Sequence, residues 1–323
     1  MGHEKTIGVL TSGGDAPGMN AAIRAVVRCG LYYGYRMMAI NKGYAGLIAG
    51  DMTEVGARDV SDTLQRGGTI LQTARCKEFT TEAGIKKAIE VARIFGMDAL
   101  VVIGGDGSFR GARDMANMGF PVIGIPGTID NDIGCSDYTI GYDTALNTAM
   151  QAIDKIRDTA TSHERCNMVE VMGRSAGHIA LNVAIANGAE ACIVPEKPFS
   201  MDEDIIRPII EGRNRGKKHS IIIVAEGVGA TPEMAKEVEE RTGVETRLTV
   251  LGYIQRGGEP TLRDRVMAGR MGRYAVELIR EEKYNRIVAW QQGKVVDIDI
   301  DEALAMKKTL NESDYQLAQM LSL

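Results

Sequence analysis

The chain has 323 residues and a formal charge of −5, from 38 basic and 43 acidic side chains. Its length gives room for about two domains, each with its own core. No apolar run approaches the roughly 20 residues of a membrane-spanning helix, which excludes a membrane-embedded role. The slight negative charge offers no chain-wide attraction to nucleic acid or anionic lipid, so neither is expected as a partner. The five cysteines are scattered without a C-x-x-C pair, which favours a reducing, cytoplasmic environment.

Short apolar runs alternate with longer segments of helical periodicity along most of the chain. Several runs, such as residues 221–224, are continuous rather than alternating, as expected for parallel strands covered on both faces. The predicted strands are residues 7–10, 36–40, 99–103, 122–125, 168–171, 191–194, 220–225, 248–251 and 287–290. Repeated strand–helix units predict a doubly wound α/β architecture.

The clearest helical pattern covers residues 142–160, where an apolar stripe is interpreted as a core contact. The methionines within residues 114–118 and 266–271 are interpreted in the same way, as packing side chains rather than a cofactor site. The long helix follows a first block of four strands. A domain boundary is therefore placed near Gly141, although composition alone does not locate it.

Two glycine-rich turns follow predicted strands and lead into predicted helices. The turn at residues 11–18 can bring backbone N–H groups close to a phosphate, although an ordinary strand-to-helix turn would have the same pattern. The turn at residues 104–108 places Asp106 at the carboxyl end of a buried strand, where a carboxylate can hold Mg²⁺ or simply cap the helix. Neither turn matches the dinucleotide fingerprint or the P-loop.

A third turn, at residues 126–132, carries two carboxylates. Asp130 and Asp132 are separated by one residue in an extended segment, so they project to the same side, together with Thr128. Phosphoryl transfer needs a group that accepts the proton of the attacking hydroxyl, and cations that neutralise the transferred group. An Asx-rich loop without a catalytic role remains the alternative.

Cations for such a reaction are available in glycine-containing segments further along the chain. A guanidinium matches the geometry of phosphate oxygens, and neighbouring glycines allow close approach to a ligand. One such arginine is more often a solvated surface charge, but four of them favour a phosphorylated substrate. They are Arg165, Arg174, Arg247 and Arg256. The basic stretch at residues 213–219 is equally well interpreted as a charged helix end.

Taken in order, five motifs resemble those of the bacterial 6-phosphofructokinases. They are TSGGDAPGMN (residues 11–20), VIGGDG (102–107), PGTIDND (126–132), VMGR (171–174) and VLGYIQRGG (250–258). The GGDG motif also occurs in NAD kinases and lipid kinases, whereas PGTIDND with the two arginine motifs is far more specific. The similarity extends from about residue 6 to residue 300.

The resemblance implies two doubly wound, mostly parallel-sheet, Rossmann-like domains with the active site in the cleft between them. Residues 1–141, with 256–305 returning to them, would form the ATP-binding domain. Residues 142–255, with 306–323 packed on them, would form the domain that binds fructose 6-phosphate. The expected reaction transfers the γ-phosphate of ATP to the 1-hydroxyl of fructose 6-phosphate, giving fructose 1,6-bisphosphate and ADP.

The resemblance also implies roles for individual residues. Asp130 would be the base, with Thr128, Asp132, Arg174 and Gly14 completing the catalytic set, and Asp106 would hold magnesium. The ATP-binding set would be Gly14, Tyr44, Arg75, Cys76, Gly105, Asp106, Gly107 and Ser108. The sugar-phosphate set would be Thr128, Asp130, Asp132, Arg165, Met172, Gly173, Arg174, Glu226, Arg247, Tyr253 and Arg256.

Arg165 and Arg247 are similar to arginines that reach into a neighbouring subunit's site, which implies a homotetramer. A regulatory site for ADP and phosphoenolpyruvate between subunits is also implied, although Ala57 stands where relatives often have an arginine. Its residues would be Arg24, Arg28, Asp62, Arg157, Gly188, Glu190, Arg215, Lys217 and His219.

Two glycines indicate the phosphoryl donor. Gly107 and Gly127 match ATP-using rather than pyrophosphate-using relatives, because a side chain at either position is expected to intrude on the nucleotide. Two other positions depart from the family, since Tyr253 replaces a histidine and His178 replaces an aspartate. A pyrophosphate-dependent or other phosphosugar kinase, and a nucleotide-binding regulator without catalysis, remain the alternatives.

Overall fold

The structure is a computed structural model that describes residues 5–322. The chain divides into two compact units. The first unit contains the described residues up to Ile129, together with Ile133–Thr144 and Arg256–Lys308. The second contains Asp130–Asp132, Ala145–Gln255 and the described residues from Thr309 onward. Each unit is therefore built from segments that are distant in the sequence.

Eleven strands are present among the described residues. They are β1 (Thr6–Thr11), β2 (Arg36–Ile40), β3 (Met52–Glu54), β4 (Ala99–Gly104), β5 (Val122–Pro126), β6 (Cys166–Val171), β7 (Ala191–Ile193), β8 (Ser220–Ala225), β9 (Thr246–Val250), β10 (Arg286–Gln291) and β11 (Lys294–Asp299). All nine predicted strands are confirmed, with ends that differ by at most two residues. Strands β3 and β11 were not predicted from the sequence.

The α-helices lie mostly between these strands. They are α1 (Met19–Tyr32), α2 (Gly43–Ala49), α3 (Glu82–Ile94), α4 (Asp106–Asn117), α5 (Tyr142–His163), α6 (His178–Asn187), α7 (Arg207–Asn214), α8 (Thr231–Thr242), α9 (Leu262–Arg280), α10 (Ile300–Ala305) and α11 (Glu312–Leu321). Short 3₁₀ segments cover Glu78–Thr80, Glu226–Val228 and Gly252–Arg256, and a π-helical turn covers Met201–Ile206. Within the described residues, no helix is long and apolar enough to cross a membrane.

The first unit is organised around a seven-stranded sheet with the order β11-β10-β5-β4-β1-β2-β3. The five inner strands pair in parallel, and the two edge strands, β3 and β11, pair antiparallel with their neighbours. Every residue of β1 and β4 is buried, because helices cover both faces of the sheet. The carboxyl ends of β1, β4 and β5 therefore lie side by side at one edge, which is where ligands bind in such sheets.

The second unit contains a four-stranded sheet with the order β7-β8-β6-β9, in which all pairings are parallel. The mostly parallel α/β fold predicted from the alternating pattern is thus confirmed in each unit. The predicted packing role of the methionines is confirmed at Met115, Met267 and Met271, which are buried.

The loop before α5 is fastened to the sheet of the first unit at strand β10. The backbone N–H of Trp290 donates to the Ser136 hydroxyl over 2.9 Å, and the N–H of Asp137 donates to the Trp290 carbonyl over 2.8 Å. The Arg270 guanidinium lies 5.8 Å from the centre of the indole ring. Both the backbone and the side chain of Trp290 therefore make contacts within the first unit.

Candidate active site

The turn after β1 brings together two residues that the sequence analysis assigned to different ligands. Gly13 and Gly18 have φ angles of +87° and +106°, which favour glycine, and α1 starts immediately after Gly18, as predicted. A Cβ atom at Gly14 would overlap the guanidinium of Arg256. Gly14, assigned to ATP, and Arg256, assigned to the sugar phosphate, are thus neighbours at the carboxyl end of β1.

The turn after β4 places Asp106 as the first residue of α4. The guanidinium of Arg110, one helical turn later, binds this carboxylate through Nε at 2.8 Å and Nη2 at 3.3 Å. The Asp106 side chain remains 45% exposed, so a ligand can reach it. Apart from its chain neighbours and the backbone of its own helix, no heavy atom lies within 4 Å of the position of a Cβ at Gly107. The helix N-terminus, with its free N–H groups, therefore faces open space suited to an anion.

Gly127 differs from Gly107 in its surroundings. A Cβ at Gly127 would lie 3.1 Å from a methyl group of Ile103 and 3.3 Å from the terminal methyl of Met19. A side chain at either glycine was expected from the resemblance to intrude on the nucleotide. A side chain at Gly127 would instead extend toward the packed side chains of the protein. This packing favours glycine at position 127 whether or not a nucleotide is bound.

Tyr44 lies in the core rather than on an open surface. Its ring is stacked on Phe79, with the ring centres 3.8 Å apart, and only 6% of the residue is exposed. The hydroxyl donates to the carbonyl oxygen of Ser108 over 2.6 Å, and burial raises the pKa of the phenol above its usual value. Of the neighbouring ATP candidates, Arg75 is exposed and Cys76 is half-buried. Tyr44 therefore supports the start of α4.

The loop after β5 is held by backbone and side-chain hydrogen bonds within the first unit. The N–H of Gly127 donates to the carbonyl of Gly104, at the end of β4, over 2.9 Å. The hydroxyl of Thr139 donates to the carbonyl of Thr128 over 2.7 Å, and the N–H of Ile140 donates to the carbonyl of Pro126 over 2.9 Å. The position of Thr128 is thus set from two sides.

The carboxylates of this loop belong to the second unit. The Asp130 side chain is only 3% exposed, and its Oδ2 lies 3.3 Å from Nε of Arg174. Asp132 is half-buried, and Asn131 between them has a φ of +51°. A carboxylate at this depth needs a compensating charge, which Arg174 provides.

The turn that presents Arg174 is strained and is stabilised by Glu226. Gly173 and Arg174 have φ angles of +141° and +54°, and the latter is uncommon for a side chain of this size. Oε1 of Glu226 accepts hydrogen bonds from both backbone N–H groups, at 3.2 and 2.6 Å. Glu226, expected to contact the sugar phosphate, is therefore occupied here in fixing the turn.

Gln255 is a site residue that the sequence analysis did not identify. It is fully buried, its side-chain oxygen accepts from the N–H of Met172 over 3.3 Å, and its amide donates to the carbonyl of Gly252 over 3.0 Å. It thereby joins the turn after β6 to the turn after β9. The motif at residues 250–258 contains this glutamine. Its neighbours, the apolar Ile254 and the basic Arg256, form no pattern that would predict its burial.

Arg165 and Arg247, predicted to bind substrate in a neighbouring subunit, share one carboxylate within the second unit. Nε of Arg165 lies 2.6 Å from Glu245, and the guanidinium of Arg247 also contacts this carboxylate. The hydrogen bond from Arg165 holds the pKa of Glu245 below its usual range. Tyr253, which replaces the family histidine, is 81% exposed on the 3₁₀ segment that follows β9.

The predicted regulatory residues form a cluster in each unit. In the first unit, Arg24 and Arg28 lie one turn apart on α1, and Arg28 donates to the carbonyl of Ala57 over 3.2 Å. Arg58 next to Ala57 and the predicted Asp62 are both exposed.

In the second unit, two cations, an imidazole and a buried carboxylate are adjacent. The Arg157 guanidinium lies 3.4 Å from the imidazole of His219, whose other nitrogen lies 3.2 Å from the hydroxyl of Thr161. Lys217 forms a 2.8 Å ion pair with Glu190, which is buried. Burial lowers the pKa of His219 below its usual value. The two remaining predicted residues are Gly188, which ends α6 with a φ of +57°, and Arg215, which is exposed.

Known proteins of one family resemble this chain over nearly its full length. The sequence profile described as phosphofructokinase matches residues 6–279. The chain is 55% identical over 319 residues to a protein of Alkaliphilus metalliredigens named ATP-dependent 6-phosphofructokinase, and the match covers 99% of this chain and 100% of that protein. A Clostridium botulinum protein of the same name is 55% identical over 318 residues, covering 98% and 99% of the two chains.

A solved structure of phosphofructokinase from Saccharomyces cerevisiae superimposes with a TM-score of 0.89 at 33% sequence identity. The match covers 99% of this chain but 48% of the yeast chain, so this chain spans about half of the yeast protein's length. The profile match and the two bacterial relatives extend over most or all of the chain and include every motif that carries the resemblance. The chain belongs to the phosphofructokinase family.

Proposed function

We propose that the chain transfers the γ-phosphate of ATP to the 1-hydroxyl of fructose 6-phosphate, forming fructose 1,6-bisphosphate and ADP. The observation that carries this proposal is the buried carboxylate of Asp130 with the guanidinium of Arg174 beside it. A base and a cation in one place are what phosphoryl transfer to a hydroxyl requires. The names of relatives that are 55% identical over nearly the full chain support the same reaction.

In this reaction Asp130 accepts the proton of the attacking 1-hydroxyl. Burial leaves the carboxylate few water molecules to compete with the substrate hydroxyl, and the loop that carries it is held at Thr128. Arg174 faces both the base and solvent, because its side chain is 57% exposed. Its guanidinium stabilises the transferred phosphoryl group as negative charge redistributes over the phosphate oxygens.

ATP is proposed to bind to the first unit, along the carboxyl ends of β1 and β4. The open space beside Gly107 and the free N–H groups at the start of α4 suit its phosphates. Gly14 allows close approach at the turn after β1, where the guanidinium of Arg256 supplies positive charge. The remaining predicted ATP contacts, Gly105, Ser108, Arg75 and Cys76, belong to the α4 turn or to the segment before α3.

Magnesium fits this proposal as an ion held mainly by phosphate and water. In the part of the chain that the structure describes, no three His, Cys, Asp or Glu side chains form a metal-binding group. Mg²⁺ keeps several water molecules and often takes one or two carboxylates plus substrate phosphates, so the accessible Asp106 is a sufficient protein ligand. When bound, the ion neutralises charge on the phosphates.

Fructose 6-phosphate is proposed to bind to the second unit. Met172, Gly173 and Arg174 lie in the turn after β6, and the exposed Tyr253 can donate a hydroxyl to the 6-phosphate. Arg165 and Arg247 are proposed to complete the site of a neighbouring subunit in a homotetramer. Their shared carboxylate, Glu245, would keep both guanidinium groups in place until the subunits assemble.

The basic clusters around Arg28 and around His219 are proposed to bind ADP and phosphoenolpyruvate as regulators. Arg157, Lys217 and His219 lie together in the second unit, which is the chemistry a phosphate requires. The enzyme is proposed to work in the cytoplasm, a reducing environment that its five free cysteines favour.

The test is ADP production by the purified protein with Mg²⁺, ATP and fructose 6-phosphate, with pyrophosphate as the alternative donor and Asp130→Ser as the control. Turnover that depends on the sugar and on ATP, and that falls by roughly 10²–10⁴ in the mutant, is expected. Turnover with pyrophosphate alone would instead identify a pyrophosphate-dependent kinase. Binding of both ligands without turnover would identify a regulator.

A further inference from the structure

Asp264, in the first turn of α9, is a fully buried carboxylate to which no role has yet been given. Both of its oxygens accept hydrogen bonds from a single segment, residues 138–144. Oδ1 accepts from the hydroxyl of Tyr138 and from the N–H of Gly141 at 2.7 Å. Oδ2 accepts from both the N–H of Thr144, at 2.9 Å, and its hydroxyl.

This arrangement is more than the capping of a helix. The N-terminus of α9 is already capped by Thr261, whose hydroxyl accepts from the N–H of Asp264 itself at 3.3 Å. The carboxylate instead receives four hydrogen bonds from outside its own helix. Burial raises the pKa of Asp264, so keeping a carboxylate here has a cost that the four donors offset. We therefore expect the function of the Asp264 carboxylate to depend on residues 138–144, the segment that it fixes.

The segment 138–144 contacts two of the three glycine-rich turns. Thr139 donates to the carbonyl of Thr128, and Ile140 donates to the carbonyl of Pro126 and forms a bridge with Gly127. These bonds fix the backbone that leads into Asp130, two residues after Thr128.

On the other side, the segment packs against the turn after β1. A Cβ at Gly141 would approach the Cβ of Ala16 to 2.6 Å, and one at Gly18 would approach a methyl group of Ile140 to 2.7 Å. Such close approach leaves no room for the segment to shift. Residues 138–144 thus connect the turn that holds Gly14 with the loop that holds Thr128.

We propose that Asp264 is a positioning residue for the transfer reaction. It holds residues 138–144 in one place, and this segment holds Thr128, a member of the proposed catalytic set, and the turn of Gly14 in fixed positions within the first unit. Asp264 touches neither substrate. The proposal rests on the proposed function for its kinetic consequence, but its structural part can be tested without activity.

The experiment replaces Asp264 with Asn, which keeps the shape but presents an amide donor to groups that are themselves donors. Small displacements of reacting groups lower rates strongly, so kcat is expected to fall by roughly 10- to 100-fold. The KM values for ATP and fructose 6-phosphate are expected to change by less than about threefold, because the binding groups remain. Hydrogen exchange of residues 122–144 is expected to become faster in the variant than in the wild type.

Asp297→Asn is the matched control. Asp297 also accepts from a tyrosine hydroxyl, Tyr274 at 2.7 Å, and from Arg286 at 2.7 Å, but it lies on the edge strand β11. This variant is expected to lower the melting temperature and to leave kcat unchanged. Equal loss of kcat in the two variants, or an unchanged kcat in folded Asp264→Asn, would overturn the proposal.

Milder variants keep the test decisive if Asp264→Asn does not fold. Thr144→Val deletes one of the four bonds, together with the bond that the Thr144 hydroxyl accepts from the N–H of Thr261. Thr139→Val deletes the link to Thr128. Each variant is expected to lower kcat several-fold. Thr144→Ser restores the hydroxyl and is expected to restore the rate. The double variant Thr144→Val/Thr139→Val is compared with the two single variants. A loss in log kcat smaller than the sum of the single losses supports the proposal that both residues act through the same segment, and an additive loss would contradict it.

Failure of the proposed function would be recognised separately, by a wild-type protein that does not phosphorylate fructose 6-phosphate. In that case the exchange measurement alone decides the structural part. Faster exchange at residues 122–128 in Thr144→Val and Asp264→Asn, but not in Asp297→Asn, supports the positioning of this loop. Unchanged exchange there overturns it.

Discussion

Nε of Arg174 lies 3.3 Å from Oδ2 of Asp130 within the second unit, and only the arginine is open to solvent. The carboxylate gains a counter-charge at a depth where an unpaired ion would be costly. The arginine, in turn, is presented by a backbone conformation that is uncommon for its residue type, with a φ of +54°. Strain of this kind persists where the surrounding structure enforces it, as Glu226 does here.

Arg174→Lys is expected to lower kcat for sugar phosphorylation by roughly 10-fold or more, although the charge is retained. An ammonium cannot provide the planar guanidinium fork that contacts a carboxylate and a phosphate at the same time. Steady-state kinetics with varied fructose 6-phosphate provide the measurement. Lys86→Arg is the control for an exchange between lysine and arginine. Lys86 forms an exposed ion pair with Glu82 on α3, so this variant is expected to leave kcat unchanged. Wild-type kinetics in Arg174→Lys would refute the role of the fork.

Glu226→Ala and Glu226→Gln separate the fixing of the turn from direct contact with substrate. Alanine removes the acceptor of two backbone N–H groups and thereby releases the turn at Arg174. Glutamine keeps an acceptor oxygen in the same place, so it is expected to retain much more activity than alanine. Comparing kcat/KM for fructose 6-phosphate in both variants is the measurement. Equal losses would indicate that the negative charge itself matters, through the substrate.

Gly14→Ala is expected to lower activity strongly while leaving the melting temperature nearly unchanged. The added methyl group would displace the guanidinium of Arg256, which is the end of a flexible side chain and moves at little cost to the fold. Gly269→Ala is the matched control, because it lies inside α9 with no atom within 4 Å of the new methyl position. That change should be neutral or stabilising by up to about 1 kcal/mol. A Gly14→Ala enzyme with normal kinetics would show that Arg256 is not needed where it lies.

Binding of a phosphate-bearing regulator at the second-unit cluster is expected to tighten only at a pH below about 6.5, the usual pKa of histidine. Burial lowers the pKa of His219, with Arg157 and Lys217 acting in the same direction and Glu190 opposing them. The imidazole is therefore neutral at neutral pH, and it adds a positive charge only after protonation at a pH below its usual pKa.

The measurement is the half-saturating concentration of ADP as a regulator, between about pH 8 and about pH 5.5. His219→Gln serves as the control. The phosphate of ADP, whose second pKa is about 6, still titrates in this experiment, whereas the imidazole is absent. The wild type should gain affinity relative to His219→Gln only at the acidic end. Parallel curves for the two proteins would contradict a role for this side chain.

The inner strands of both sheets were predictable because burial on two faces leaves a local signature. β1, β4 and β8 are continuous apolar runs, each followed by glycine or by a short turn. The two antiparallel edge strands of the seven-stranded sheet lacked this signature. β3 has three residues, two of them exposed, and β11 is at best half-buried along its length. Both pair antiparallel with a neighbour, so a half-exposed sequence is sufficient for them.

The candidate site was predictable where its chemistry lies in contiguous motifs and not where it depends on contacts distant in sequence. Asp130 and Arg174 are marked by their motifs, and the structure adds that they form a pair. Tyr44 could be placed near ATP by resemblance, but its stacking on Phe79 depends on packing that no local pattern encodes. Asp264 looks like an ordinary acidic residue in the first turn of a helix. Only the fold brings it to Tyr138 and Thr144, more than a hundred residues earlier.

The packing of Trp290 in the first unit gives the protein a built-in optical reporter. It is the single tryptophan of the sequence, so indole fluorescence comes from the first unit alone. Circular dichroism, by contrast, sums the helices of both units. Denaturation followed by the two signals should give superimposable curves if the units unfold together, and an early or late fluorescence transition if they do not. The fold thereby makes the cooperativity between its two units measurable without any label.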